Sequence, residues 1–168
     1  MRDDQNLIRK HRGRGVLIDT NLLVLYLVGK VNRNRITQFK RTRNFSASDF
    51  DLLVQLVSWF GRLFATPHLL TETSNLADLP AAEGAKVRFL FRTLVEQIGE
   101  FYDPSSRLVA NKLFDRFGLT DVAIGETCRR GILVLTADVR LHDALQRESP
   151  SLDVLNFNHI RSQGWTTV

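Results

Sequence analysis

The sequence predicts an α/β fold with a mainly parallel central sheet of about five short strands flanked by helices. Three observations carry this. Apolar runs of strand length alternate with longer segments of helical period along the whole chain. Ile132-Leu133-Val134-Leu135 is apolar at every position, as a central parallel strand covered on both faces should be. Two acids, Asp19 and Asp138, each stand just beyond such a run, and open α/β sheets collect ligands outside the carboxyl ends of their strands.

The elements follow in order. Gly15-Val16-Leu17-Ile18 reads as the first strand, delivering Asp19, Thr20 and Asn21 as it leaves the sheet. Leu22 to Val28 is apolar on all sides and fits a buried first helix, closed by Gly29. Asp19 therefore suits two roles, a ligand-binding acid and the N-cap of that helix. Ser46 to Ser48 offer caps for a helix whose Leu52, Leu53, Leu56, Val57 and Phe60 form one stripe. Phe64-Ala65-Thr66 is a short second strand, and Pro67 suits the first position of a helix capped by Thr66.

On that helix Leu69, Glu72, Leu76 and Leu79 share a face, so Glu72 is a carboxylate on an inward stripe. Such an acid needs a partner, either a basic neighbour or a metal. After Pro80 a further helix turns Val87, Phe91, Leu94, Val95 and Ile98 inward and Lys86, Arg88 and Arg92 outward, and Gly99 stops it. Phe101-Tyr102 is expected as a brief third strand, and Ser105 to Phe117 as a helix ended by Gly118. Thr120 can cap the next helix with Asp121 in its first turn, where an acid also complements the helix dipole. Beyond Leu135 come Thr136, Ala137 and Asp138, repeating the arrangement at Asp19. Asp153 to Phe157 is the last strand, with a polar tail after Asn158.

A chain of 168 residues reads as a single domain, residues 1–168, able to bury a continuous core. The lone Cys128 excludes an internal disulfide and suits a reducing compartment. Residues 1–14 are basic and lack an apolar signal core, so they are expected as a flexible, solvated arm. The Val16–Val28 run is broken by Asp19-Thr20-Asn21 and too short to span a bilayer, so no membrane partner is expected and the setting is cytoplasmic. The formal net charge is +5. Its densest concentration is the 30–45 segment, where Lys30, Arg33, Arg35, Lys40, Arg41 and Arg43 occur without an acid and with Phe39 and Phe45 interleaved. That is a candidate nucleic-acid-binding insertion, or else a solvated loop.

In a parallel sheet Asp19 and Asp138 leave strands at one edge, and Glu72 and Asp121 lie on helices that begin there. Four carboxylates then converge, which is costly without a cation. Oxygen ligands of this kind suit Mg²⁺ or Mn²⁺, and such a site can activate water for in-line attack on a phosphodiester. The scattered His11, His68, His142 and His159 offer no comparable constellation.

Taken together, Val16-Leu17-Ile18-Asp19-Thr20-Asn21, Glu72 after Pro67, Leu119-Thr120-Asp121-Val122-Ala123-Ile124 and Leu133-Val134-Leu135-Thr136-Ala137-Asp138 resemble the motifs of PIN-domain nucleases, and more narrowly the VapC-type toxin ribonucleases. The resemblance implies a PIN-like three-layer fold and an acidic pocket of Asp19, Glu72, Asp121 and Asp138 that is catalytic and holds Mg²⁺ or Mn²⁺. It further implies that Asn21 and Thr136 orient acids, water or substrate, and that RNA is hydrolysed. A toxin role, a cognate antitoxin and a homodimer are also implied. The long 30–45 segment and the basic amino terminus depart from the compact toxin pattern. The competing reading is a non-catalytic nucleic-acid-binding or scaffolding module on the same fold.

Overall fold

The computed structural model describes residues 2–163. Met1 and residues 164–168, the end of the expected polar tail, lie outside the described residues. The chain runs α1 (Arg2–Lys10), β1 (Val16–Ile18), α2 (Thr20–Val31), a 3₁₀ turn (Arg33–Arg35), α3 (Ala47–Phe60), β2 (Leu63–Ala65), α4 (Pro67–Leu76) and α5 (Ala81–Val95). It continues with β3 (Gly99–Glu100), α6 (Ser105–Leu108), α7 (Phe114–Arg129), β4 (Leu133–Thr136), α8 (Val139–Glu148), β5 (Val154–Asn156) and α9 (Phe157–Gln163). The five strands form one sheet in the order β3-β2-β1-β4-β5, and every pairing is parallel. Helices flank this sheet in a three-layer α/β arrangement. No helix among the described residues is long and apolar enough to cross a membrane.

This strand order places the functional edge. From β1 the chain steps outward through β2 to β3, then returns across the sheet to β4 and β5. The order therefore reverses between β1 and β4. With right-handed crossovers the helices before and after the reversal cover opposite faces, leaving a crevice beyond the carboxyl ends of those two strands. Register levels the sheet there. Leu17 pairs with Phe64 and Val134, Ala65 with Glu100, and Thr136 with Asn156. Extending each ladder by a residue puts Phe101, Thr66, Asp19, Thr136 and Asn156 in one row across the edge.

The core explains why strands this short suffice. Val16, Leu17, Leu133, Val134, Leu135 and Leu155 are all fully buried, so β1, β4 and β5 are covered on both faces. Helix α2 is buried through Leu22, Leu23, Val24, Leu25, Leu27 and Val28. Gly29 allows α3 to approach, because a Cβ there would lie 2.3 Å from the Phe50 ring. Ser46 and Asp49 form a reciprocal capping box at the start of α3, as the serine cluster predicts.

Four expectations are corrected. The solvated amino-terminal arm is a helix from Arg2 to Lys10. It docks through buried Ile8, and buried His11 follows it with Nε2 2.8 Å from an Asp153 oxygen. A sequence pattern shows no partner for an isolated Leu7-Ile8 pair, and the partner is the distant Trp59, whose Nε1 donates to the Ile8 carbonyl. Strand β3 is Gly99–Glu100, earlier than Phe101-Tyr102. Gly99 fits beneath Phe64, where a Cβ would lie 2.5 Å from the ring. The single helix expected over Ser105–Phe117 is divided into α6 and the start of α7. The segment after Asn158 is helical to Gln163, held by buried Phe157 and Ile160.

Candidate metal-binding acid pocket at the sheet edge

Asp19 leaves β1 at the switch point and is buried. Its two oxygens do different work. Oδ1 accepts the Leu22 amide at 2.8 Å and caps α2. Oδ2 accepts the Thr136 hydroxyl at 2.5 Å and the Ala137 amide at 2.8 Å. The two roles that the sequence leaves open for Asp19 therefore coexist: the cap fixes the rotamer, and β4 grips the second oxygen. Burial raises the pKa of the Asp19 carboxyl, while the hydrogen bonds from Thr136, Leu22 and Ala137 oppose that shift.

Asp138 repeats the device. Its Oδ1 accepts the amides of Arg140 and Leu141 and caps α8. Its own amide donates to Thr136 Oγ1 at 2.9 Å. Thr136 thus donates to one acid and accepts from the backbone of the other, linking the ends of β1 and β4 through one buried hydroxyl.

Glu72 lies on α4, whose start is set by the Thr66 cap and Pro67 at the first position. Leu69 beside it is buried and Glu72 itself is half-buried. Its partner is Thr20, whose hydroxyl donates to Glu72 Oε2 at 3.0 Å. Asp121 arrives on α7, which packs against α4. The helix is broken just before it, where Gly118 adopts φ 77° and ψ −177°, a conformation essentially reserved for glycine. The Asp121 carboxyl is pushed up to about 7, first by burial and then by the negative charges of Asp138, Asp19 and Glu72. All four acids therefore sit within electrostatic reach of one point.

The donor set fits a hard divalent cation. Carboxylate oxygens are its preferred ligands, and a cation would relieve the repulsion that Asp138, Asp19 and Glu72 add to the burial of Asp121. Among the described residues no three His, Cys, Asp or Glu side chains already close into a metal cage. Like charges oppose such closure, and Asp19 and Glu72 are each engaged by a threonine.

The remaining candidates divide. Thr136 links Asp19 to Asp138, whereas Asn21 is exposed on the first turn of α2 with no side-chain hydrogen bond among the described residues. The basic segment starts at the far end of α2, about 18 Å from the Asp19 cap for a helix of that length. Two of its cations are engaged in ion pairs, Arg33 with Asp51 and Arg35 with Glu83. Lys30 lies over the Tyr26 ring, and Lys40, Arg41 and Arg43 are exposed. The segment is compact, with Ile36 buried and the Thr42 hydroxyl donating to its carbonyl at 2.7 Å.

Three supporting residues escape a reading by sequence alone. Thr20 holds Glu72. Asn158 donates through Nδ2 to the Ala137 carbonyl at 2.7 Å, bracing the loop that carries Asp138. Asn156 is buried in the same row as Thr136, and its Nδ2 has no partner among the described residues. The available signal was position: Asn156 ends an apolar strand just as Asp19 does. His142 and His159, remote in sequence, stack edge to face with centroids 5.8 Å apart. They line a cleft with Lys10 and Asp153 whose walls include none of the four acids. No protein-family model, curated protein or solved structure matches this chain.

Proposed function

We propose that the chain is a metal-dependent endoribonuclease of PIN-like type, using Asp19, Glu72, Asp121 and Asp138 to hold Mg²⁺ or Mn²⁺. The observation that carries this reading is the pair of acids that end β1 and β4 at the crevice, Asp19 and Asp138, joined through the Thr136 hydroxyl, with Asp121 raised first by burial and then by the charges of Asp138, Asp19 and Glu72. Asp153 is paired with Lys10 and Glu83 with Arg35. None of the four pocket acids forms an ion pair among the described residues. Gathering negative charge in this way serves a cation-dependent reaction better than it serves passive binding of a polyanion.

When bound, a divalent cation supplies charge neutralisation at the phosphate and a water acidic enough to attack it. The chain's own contribution is positioning. Thr136 and the Ala137 amide each donate to Asp19 Oδ2 and so oppose the upward pKa shift that burial imposes, while fixing the direction of the carboxyl. Thr20 fixes Glu72 against rotation. Asp121, raised by burial and by its acidic neighbours in the metal-free chain, is the acid whose proton a bound cation would displace. The α2 and α8 caps hold Asp19 and Asp138 against the starts of those helices, which favours a site ordered before substrate arrives.

The test is cleavage of a single-stranded RNA with Mg²⁺ or Mn²⁺, repeated with chelator and with Asp19→Asn. The expected products carry 5′-phosphate and 3′-hydroxyl ends, and both chelator and the substitution abolish them. Undiminished cleavage by Asp19→Asn, or cyclic phosphate ends, would overturn the assignment. Growth arrest on expression, relieved by the same substitution, is the corresponding expectation for a toxin role.

A further inference from the structure

Helix α5 buries Val87 and packs Leu90, Phe91 and Leu94 against the core, which directs its opposite face to solvent. On that face Phe89 is 72% exposed, more than any other large apolar side chain among the described residues. Lys86 and Arg92 lie three residues before and after it, on the same helical stripe and each about 4.5 Å away along the axis. Arg88, beside Phe89, is also exposed. None of these three cations forms an ion pair among the described residues.

Of the two acids at the ends of this stripe, exposed Glu96 stands four residues after Arg92 at the C-cap of α5, and Glu83 is already engaged. Glu83 accepts Asn32 Nδ2 at 2.6 Å and Arg35 Nε at 2.8 Å, and these contacts hold its carboxyl below its ordinary range. The same contacts tie the start of α5 to the basic 30–45 segment, so the two positive surfaces adjoin. A second copy of the chain is a poor occupant, because pairing this face with itself would oppose like charges around Phe89. An aromatic ring set between cations instead suits a polymer that alternates flat rings with negative charges.

We propose that the outer face of α5 binds single-stranded nucleic acid, with Phe89 stacking a base and Lys86 and Arg92 neutralising the flanking phosphates. The choice of polymer rests on the nuclease reading, and the grip itself uses none of the four acids.

The experiment measures anisotropy of a short fluorescein-labelled oligouridylate with the full chain in EDTA, so that binding is read without cleavage. The parent is expected to bind. Phe89→Ala should weaken binding roughly tenfold, with little effect on an abasic oligonucleotide of the same length. Lys86→Ala/Arg92→Ala should weaken binding to both and reduce the salt slope by about 1.4, the share of two single-strand phosphates. Equal melting temperatures confirm that the exposed substitutions leave the fold intact. The proposal is overturned by a parent that does not bind, by Phe89→Ala matching the parent, or by equal loss on the abasic strand. Displacement of the RNA by polyglutamate at lower concentration would instead assign the face to an acidic protein segment. Because chelator removes the chemistry, failure of the nuclease reading shows as absent cleavage with these binding results intact.

Discussion

Thr136 Oγ1 donates to Asp19 Oδ2 at 2.5 Å while accepting the Asp138 amide at 2.9 Å. One buried hydroxyl therefore couples the acids that end the two central strands. Thr136→Val keeps the shape and removes the donor, leaving a buried carboxylate short of a partner. The expected cost is about 1–3 kcal/mol, read by denaturant unfolding at neutral pH. Thr136→Ser, which keeps the hydroxyl, should recover most of it.

The Asp121 carboxyl gives stability a pH dependence of known sign. Its pKa rises from 3.8 in a free side chain to about 7 in the folded chain, so the folded state binds the extra proton. The resulting stabilisation is complete below pH 3.8 and is lost as pH rises through about 7. Asp19, also raised, acts in the same direction. Asp153 and Glu83 are lowered, so their contribution falls away only in acid, below the window from pH 5 to 8. Metal-free protein should therefore unfold more readily at pH 8 than at pH 5. Asp121→Asn should flatten that profile and melt higher than the parent at pH 8.

Gly118 sets the direction of the helix that carries Asp121. Gly118→Ala forces a side chain into φ 77°, ψ −177°, at an expected cost of about 1–3 kcal/mol. Among the described residues, no atom outside the local backbone lies within 4 Å of the added Cβ, so the cost is conformational rather than steric crowding from neighbours. If the helix re-registers to escape the strain, nuclease activity falls more than stability does. Thermal melting and RNA cleavage on the same preparation separate the two effects.

Docking of α1 rests on Ile8, which is 1% exposed. Ile8→Ala should cost about 2–5 kcal/mol if the helix stays in place over the cavity. Hydrogen exchange should show whether residues 2–10 then lose protection before the sheet does.

The sheet and its order of acids were legible because the strands are apolar throughout and each hands a polar residue to the same edge. Asp19, Thr136 and Asp138 stand where that pattern puts them. Glu72 was legible as a polar interruption of an inward stripe. The partners were not, since Thr20 and Asn158 act across the fold on Glu72 and Ala137, and no local period encodes such contacts. The amino-terminal helix was read as an arm because its anchors, Trp59 and Asp153, lie far along the chain. The basic 30–45 segment showed its charge but not its pairing, and Asp51 and Glu83 take up two of its arginines.

Calorimetric titration of the metal-free chain with Mn²⁺ tests the shared acid pocket most directly. The expected result is saturable binding by the parent, weakened at least tenfold by Asp19→Asn and by Asp121→Asn, with release of protons near pH 6.5 that disappears above pH 8. Binding unchanged in both variants, or no binding by the parent, would contradict it.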